Sequence, residues 1–131
     1  MSEQLNPDKM TGTDLAYLGD AVMELMTREK LLATGITDVG RLNKLALSYV
    51  RATAQSEAVE RVLPLLTDEE AEVFKRGRNA HGISAPKSAS TADYRRATGL
   101  EALFAYLWLK GEDDRRRELF AAAYPEKTEE T

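Results

Sequence analysis

The sequence predicts an all-α, single-domain protein of six helices, and three observations carry that prediction. Apolar residues recur at three- and four-residue spacing in successive segments, and none of these alternates polar and apolar residues as a half-buried strand would. Each segment is bounded by residues that start or stop helices. At 131 residues, 43% of them hydrophobic and 31% charged, the chain has the size of one domain and enough apolar side chains to fold around a core.

Taken in order, the first ten residues hold Asn6-Pro7 and no periodicity, so residues 1–12 are expected to form a flexible lead-in. Thr11 or Thr13 caps a first helix over residues 13–32, which ends at Gly35. Leu15, Leu18, Val22, Leu25 and Leu32 form its predicted core face, with Ala16, Asp20 and Glu24 on another. Thr37-Asp38 opens a second helix whose stripe is Leu42, Leu45, Ala46 and Tyr49. A third runs over 51–63, where Pro64 stops it.

Thr67-Asp68-Glu69-Glu70 has the capping-box pattern, a hydroxyl followed three residues later by a glutamate, and starts a fourth helix. Its body over 71–76 is expected to give way to an extended loop from Gly77 to Lys87. Ser90 or Thr91 caps a fifth helix that continues to Lys110 and ends at Gly111. A sixth spans Asp113 to Tyr124, with acids in its first turn and Pro125 behind it. Residues 125–131 are expected to be a disordered tail, leaving 13–124 as the folded domain.

Composition narrows the chemistry. The absence of cysteine removes disulfides, thiolate nucleophiles and thiolate-bound zinc, and His81 stands alone, so no histidine-rich metal site can form. A metal would be held by oxygen, which favours Mg²⁺ or Mn²⁺. No apolar run is long enough to span a bilayer, and the N-terminus lacks the basic and apolar regions of a secretory signal, so a cytoplasmic protein is expected.

Two apolar helices carry isolated carboxylates. One holds Leu15-Ala16-Tyr17-Leu18-Gly19-Asp20-Ala21-Val22; in the other, the run from Gly99 to Leu109 has Glu101 as its only ionisable acid or base. A carboxylate in such surroundings loses hydration and has to be neutralised, hydrogen-bonded or placed on a cation. Asp20 and Glu101 therefore read as two halves of one divalent-metal site, joined where the first helix packs on the fifth. Simpler explanations exist for other residues: Asp20 as a solvated helix residue, Glu101 as a buried partner of Arg51 or Arg95, and Glu24 as a surface pair with Arg28 one turn on. Arg115 to Arg117 read as a solvated face, and Tyr17, Tyr106 and Trp108 as core.

Charge is distributed unevenly. From Lys75 to Arg96 the chain carries Lys75, Arg76, Arg78, Lys87, Arg95 and Arg96 against Asp93 alone, a net +5, which with an overall charge of −4 leaves −9 elsewhere. A basic face on an acidic body suits a phosphate backbone.

Leu15-Ala16-Tyr17-Leu18-Gly19-Asp20-Ala21 resembles the opening of the ribonuclease III catalytic motif, and Leu100-Glu101-Ala102-Leu103 resembles that family's second acidic helix. With Lys75-Arg76-Gly77-Arg78-Asn79-Ala80, the chain length and no appended double-stranded-RNA-binding domain, the pattern is similar to the mini-ribonuclease III branch, over about residues 13–110. The resemblance implies a ribonuclease III-type helical fold and a Mg²⁺-dependent endonuclease, with Mn²⁺ as a possible substitute. It implies a homodimer that cuts the two strands of an RNA duplex separately, the usual substrate being precursor 23S ribosomal RNA.

Asp20 and Glu101 match the family's catalytic, metal-binding acids. The candidates for RNA contact are Lys75, Arg76, Arg78, Asn79, Lys87 and Arg95. Full-length members have two further acids, one turn before each of these; here the positions are Ala16 and Thr98, a departure typical of the mini branch. Those two missing acids also keep open a non-catalytic ribonuclease III-like module that binds RNA or the ribosome.

Overall fold

The computed structural model describes residues 5–80 and 90–125, and in them six α-helices are arranged with the fifth at the centre. These are α1 (Gly12–Leu32), α2 (Val39–Val50), α3 (Ala52–Val62), α4 (Asp68–Arg78), α5 (Thr91–Leu109) and α6 (Asp113–Ala123), with short 3-10 turns at Pro7–Lys9 and Leu63–Leu65. None of the described residues is in a strand, and none of the described helices is long and apolar enough to cross a membrane.

Helix α5 is the axis of the fold. It is packed against α1, α3, α4 and α6, and from Ala97 to Leu107 every residue except Glu101 is buried. A helix apolar on all sides is stable only when neighbours cover it all round. Leu100, Leu103, Phe104 and Leu107 meet Leu15, Val22, Met23, Val59, Val62, Val73 and Phe74 in one core, closed at the far end by Leu119, Phe120 and Tyr124.

Most helix starts use the expected side chains. Thr11, Asp38, Thr67 and Ser90 cap α1, α2, α4 and α5, and the Thr67–Glu70 capping box makes both of its hydrogen bonds. Gly35 and Gly111 take the positive φ that ends α1 and α5. Leu42, Leu45, Ala46 and Tyr49 face inward on α2 but are only half-buried, so α2 is the least embedded helix.

Several expectations need correcting. On α1, Leu25 (46% exposed) and Leu32 (58%) lie outside the core, and Ala16, Gly19, Met23, Met26, Thr27 and Leu31 are buried instead. The stripe follows the line on which α5 rests, and small residues and methionines fill it as well as leucine does. Tyr17 is not core but 86% exposed, and Trp108 is 41% exposed, while Tyr106 is buried as expected.

The arginines of α6 do not form a solvated face either. Arg115 reaches Glu70 at 2.8 Å and the Leu65 carbonyl at 2.7 Å, and Arg116 is buried against Asp113 at 3.0 Å and the Trp108 ring. Only Arg117, with Asp114 3.6 Å away, fits that description.

Helix α4 runs past Gly77 to Arg78, so Gly77 is not a loop residue. A Cβ there would come within 2.5 Å of the Ala102 Cβ and 2.9 Å of the Thr98 carbonyl oxygen; the missing side chain lets α4 lie against α5. The rest of the expected loop, residues 81–89 with His81 and Lys87, lies outside the described residues, as do 1–4 and 126–131 of the lead-in and tail.

From Pro7 onward the lead-in is packed. Asn6 caps its turn, Pro7 is buried, and Asp8 pairs with Lys110 at 3.0 Å. Arg76 donates to the carbonyls of Pro7 and Met10, at 2.9 and 3.2 Å.

Candidate functional site

Helices α1 and α5 cross backbone to backbone at Gly19. A Cβ on Gly19 would sit 1.7 Å from the carbonyl oxygen of Glu101 and 2.4 Å from its carbonyl carbon, so no other residue fits. This contact sets the register of the site, because Asp20 follows Gly19 and Glu101 is the residue touched. Asp20 is exposed at the rim, and Glu101, half-buried, lies deeper.

The two carboxyl groups are within hydrogen-bonding reach, and their surroundings act on Glu101 in a definite order. Burial raises its pKa most, the Asp20 charge and a hydrogen bond with Asp20 raise it further, and a hydrogen bond from Gln55 lowers it; the result is about 8. Two acids so placed cannot both ionise readily without a cation. Among the described residues neither makes an ion pair: Arg51 is exposed at the start of α3, and Arg95 lies with Arg78 and Tyr94 around a separate small cavity. Pairing of Glu101 with either arginine is therefore not what the structure has.

The chemistry of the donors fits a hard divalent cation. Asp20 and Glu101 supply oxygen ligands and a charge deficit that Mg²⁺ or Mn²⁺ would fill. Among the described residues no group of three or more acidic, histidine or cysteine side chains converges, so two carboxylates are what those residues offer. Ala16 and Thr98 are both buried, and the Thr98 hydroxyl donates to the Tyr94 carbonyl at 2.8 Å. Glu24 is in an exposed pair with Arg28 at 3.0 Å, as its spacing suggests.

The basic candidates separate into two kinds. Lys75 and Asn79 are exposed at the end of α4, Arg78 is half-buried with its Nε 3.2 Å from the Asn79 side-chain oxygen, and Arg95 is exposed on α5. Arg76, by contrast, is engaged with the backbone of residues 7–10, and Arg96 reaches Glu60 at 2.6 Å.

Gln55 is a site residue that sequence reasoning missed. It is 3% exposed on α3, its amide nitrogen lies 4.0 Å from the Met23 sulfur on α1, and its side chain acts to lower the pKa of Glu101 on α5. A signal was available: Gln55 shares the stripe of Ala58, Val59 and Val62, a polar side chain at an apolar position.

A family model described as the ribonuclease III domain matches residues 13–112. The chain is 48% identical over 118 residues to a mini-ribonuclease 3 of Symbiobacterium thermophilum, covering 90% of this chain and 91% of that protein. It is 43% identical over 110 residues to a mini-ribonuclease 3 of Brevibacillus brevis, covering 84% and 82%. Among solved structures, a Fusobacterium nucleatum protein superposes with a TM-score of 0.81 at 28% identity, over 89% of this chain and 91% of that one.

Proposed function

The chain belongs to the ribonuclease III family, an RNA endonuclease family, and from that premise we propose a Mg²⁺-dependent endoribonuclease that cuts double-stranded RNA as a homodimer. The observation that carries the reading is the meeting of Asp20 and Glu101 with no cationic side chain paired to them among the described residues. Glu101 would hold the metal directly, and Asp20 would hold it or orient the attacking water; Mn²⁺ would be an acceptable substitute. A bound divalent ion supplies a water of lowered pKa and offsets charge building on the phosphate. The buried surroundings of Glu101 exclude bulk water, so its charge acts at short range on whatever the site holds. Two protein ligands leave the remaining positions to water and to phosphate oxygens of the RNA.

Duplex RNA is read mainly through its phosphates and 2′-hydroxyls. Lys75, Arg78, Asn79 and Arg95 are placed to meet it, with Lys87 beyond the described residues. One site addresses one strand, which is the argument for a dimer. Its support is the outward face of α1, where Tyr17 stands 86% exposed about one turn before Asp20. Cytoplasmic maturation of precursor 23S ribosomal RNA is the cellular role we assign, from the family resemblance; the mini-ribonuclease 3 relatives support the ribonuclease activity itself.

Incubation of the purified protein with duplex RNA, with Mg²⁺ and with a chelator, tests the activity. Cleavage should require the metal, and Glu101→Gln should lower it by roughly 10³-fold or more while the circular dichroism stays native. Intact RNA with the wild type in saturating Mg²⁺ or Mn²⁺ would leave the non-catalytic module as the reading. Sedimentation showing a fully active monomer would remove the dimer.

A further inference from the structure

We propose that the cavity between α1 and α6 binds a nucleotide, with the base stacked on Trp108 and the phosphate held by Arg116 and Arg117. The cavity has a volume of about 760 Å³, within the roughly 300–1,000 Å³ of small-molecule sites. Leu25 and Met26 of α1, Phe120 of α6 and Trp108 at the end of α5 give it apolar walls. Leu25 and Trp108 are both more than two-fifths exposed, so this apolar surface is open to a ligand. The Arg116 guanidinium lies over the Trp108 ring, 4.9 Å from its centre, and covers one face of the indole; the exposure that remains is available to a planar ring. Arg116 is itself more than nine-tenths buried. Asp113 takes one of its nitrogens at 3.0 Å, and its Nε has no hydrogen-bond partner among the described residues. A buried guanidinium so incompletely paired favours a further anion beside it.

The charges around the cavity select the ligand. Lys30, Arg116 and Arg117 stand against Glu29 and Asp113, a net +1 on a chain whose overall charge is −4. Lys30 already donates to the Tyr124 carbonyl, whereas Arg117 is exposed with Asp114 3.6 Å away, so Arg117 is the cation best able to turn to a phosphate. The two carboxylates are acceptors for ribose hydroxyls or the amino group of a base. A duplex cannot offer this ligand, because its bases are stacked on one another; an unpaired nucleotide can stack on an aromatic side chain. The position suits such a nucleotide. Leu25 lies five residues beyond Asp20 on α1 and Trp108 seven beyond Glu101 on α5, roughly 8 and 10 Å along the helices. An unpaired nucleotide next to the cleaved duplex and a free nucleotide share the same chemistry. Naming the first as the source rests on the ribonuclease reading above; nucleotide binding itself does not.

Trp108 is the single tryptophan of the chain, so its fluorescence reports on the site directly. Adenosine monophosphate, a blunt RNA duplex and the same duplex with an unpaired extension are titrated against the full chain in chelator, which stops the metal-dependent reaction. Adenosine monophosphate should quench the emission, and the extended duplex should quench it more than the blunt one. Arg117→Ala should weaken adenosine monophosphate about tenfold, the worth of a charge-assisted hydrogen bond, and leave cleavage of the blunt duplex unchanged. Trp108→Leu, followed by calorimetry, should weaken it at least about fivefold. Equal quenching by the two duplexes, with adenosine monophosphate still bound, would assign the site to a free nucleotide. Absence of quenching by both adenosine monophosphate and the extended duplex would overturn the proposal. So would an unchanged affinity in Arg117→Ala, whatever becomes of the fold in Trp108→Leu. Quenching by polyglutamate and not by adenosine monophosphate would overturn it in favour of an acidic protein segment. Loss of the ribonuclease reading is a separate result, since RNA left intact in saturating Mg²⁺ does not touch the titration in chelator.

Discussion

The α1–α5 crossing and the α4–α5 edge hold the two sets of charged residues singled out above, and they treat charge in opposite ways. At the crossing, Asp20 and Glu101 are brought together with like charge, and the described residues place no cation on them. At the edge, Arg76 and Arg96 are already engaged, one with backbone carbonyls and one with Glu60; Arg78 is half-buried beside Asn79, and Lys75 and Arg95 are left to face outward. An unpaired charge in an apolar setting points to an absent partner, because leaving it unpaired is costly. A positive charge on a surface points to little by itself, because the nearest carbonyl or carboxylate can take it.

The contrast can be broken most severely at Gly19. Gly19→Ala would drive a methyl group into the backbone of Glu101, so α1 and α5 must separate and the core beside them must open. Thermal or urea unfolding should show a loss of at least about 3 kcal/mol, with RNA cleavage lost alongside. Native stability in this variant would show that the helices do not meet as closely as described.

A smaller effect follows from Glu101 and pH. In metal-free protein its pKa is raised from 4.5 to about 8, so between those values the folded state binds more protons than the unfolded state. Stability should therefore be highest below pH 4.5 as far as this group is concerned, and should fall as pH rises to about 8, by less than the roughly 5 kcal/mol of the full shift because solvent screens the half-buried carboxyl. Glu101→Gln should flatten that slope, and saturating Mg²⁺ should reverse it by favouring the ionised form. Denaturant unfolding at several pH values, with and without metal, reads all three. An unchanged slope in Glu101→Gln would place the buried charge elsewhere.

The smallest effects separate the two kinds of arginine at the basic edge. Arg76→Ala should lower stability by about 1–2 kcal/mol, since two carbonyls of the N-terminal segment lose their donor. Arg78→Ala should leave stability within about 0.5 kcal/mol and weaken RNA binding, reducing the log–log salt slope by something less than one. Equal loss of RNA affinity in both variants, with neither unfolding earlier, would mean that Arg76 also faces the phosphates.

Much of this was legible in the chain. Helical periodicity and the caps at Thr11, Asp38, Thr67 and Ser90 are local features, decided by residues within one turn of each other, and they place the helices almost to the residue. The site was legible for a different reason: Glu101 is conspicuous as the only ionisable residue of a long apolar run, and Asp20 through its motif. Gln55 carried a weaker signal, a polar side chain, with Ser56 beside it, on the buried face of α3.

By itself, then, the sequence determined an all-α single domain, where its helices begin, and oxygen as the only practical ligand for a metal. Only the tertiary structure decided which face of α1 is buried, that Gly77 belongs inside α4, that Arg76 reaches the carbonyls of Pro7 and Met10 and Arg96 reaches Glu60, and that Gln55 is buried against Met23. The division has one physical cause. A helix is specified by bonds between residues three and four apart, whereas a crossing such as Gly19 on Glu101 depends on residues 82 positions distant in the chain, which one-dimensional spacing does not encode.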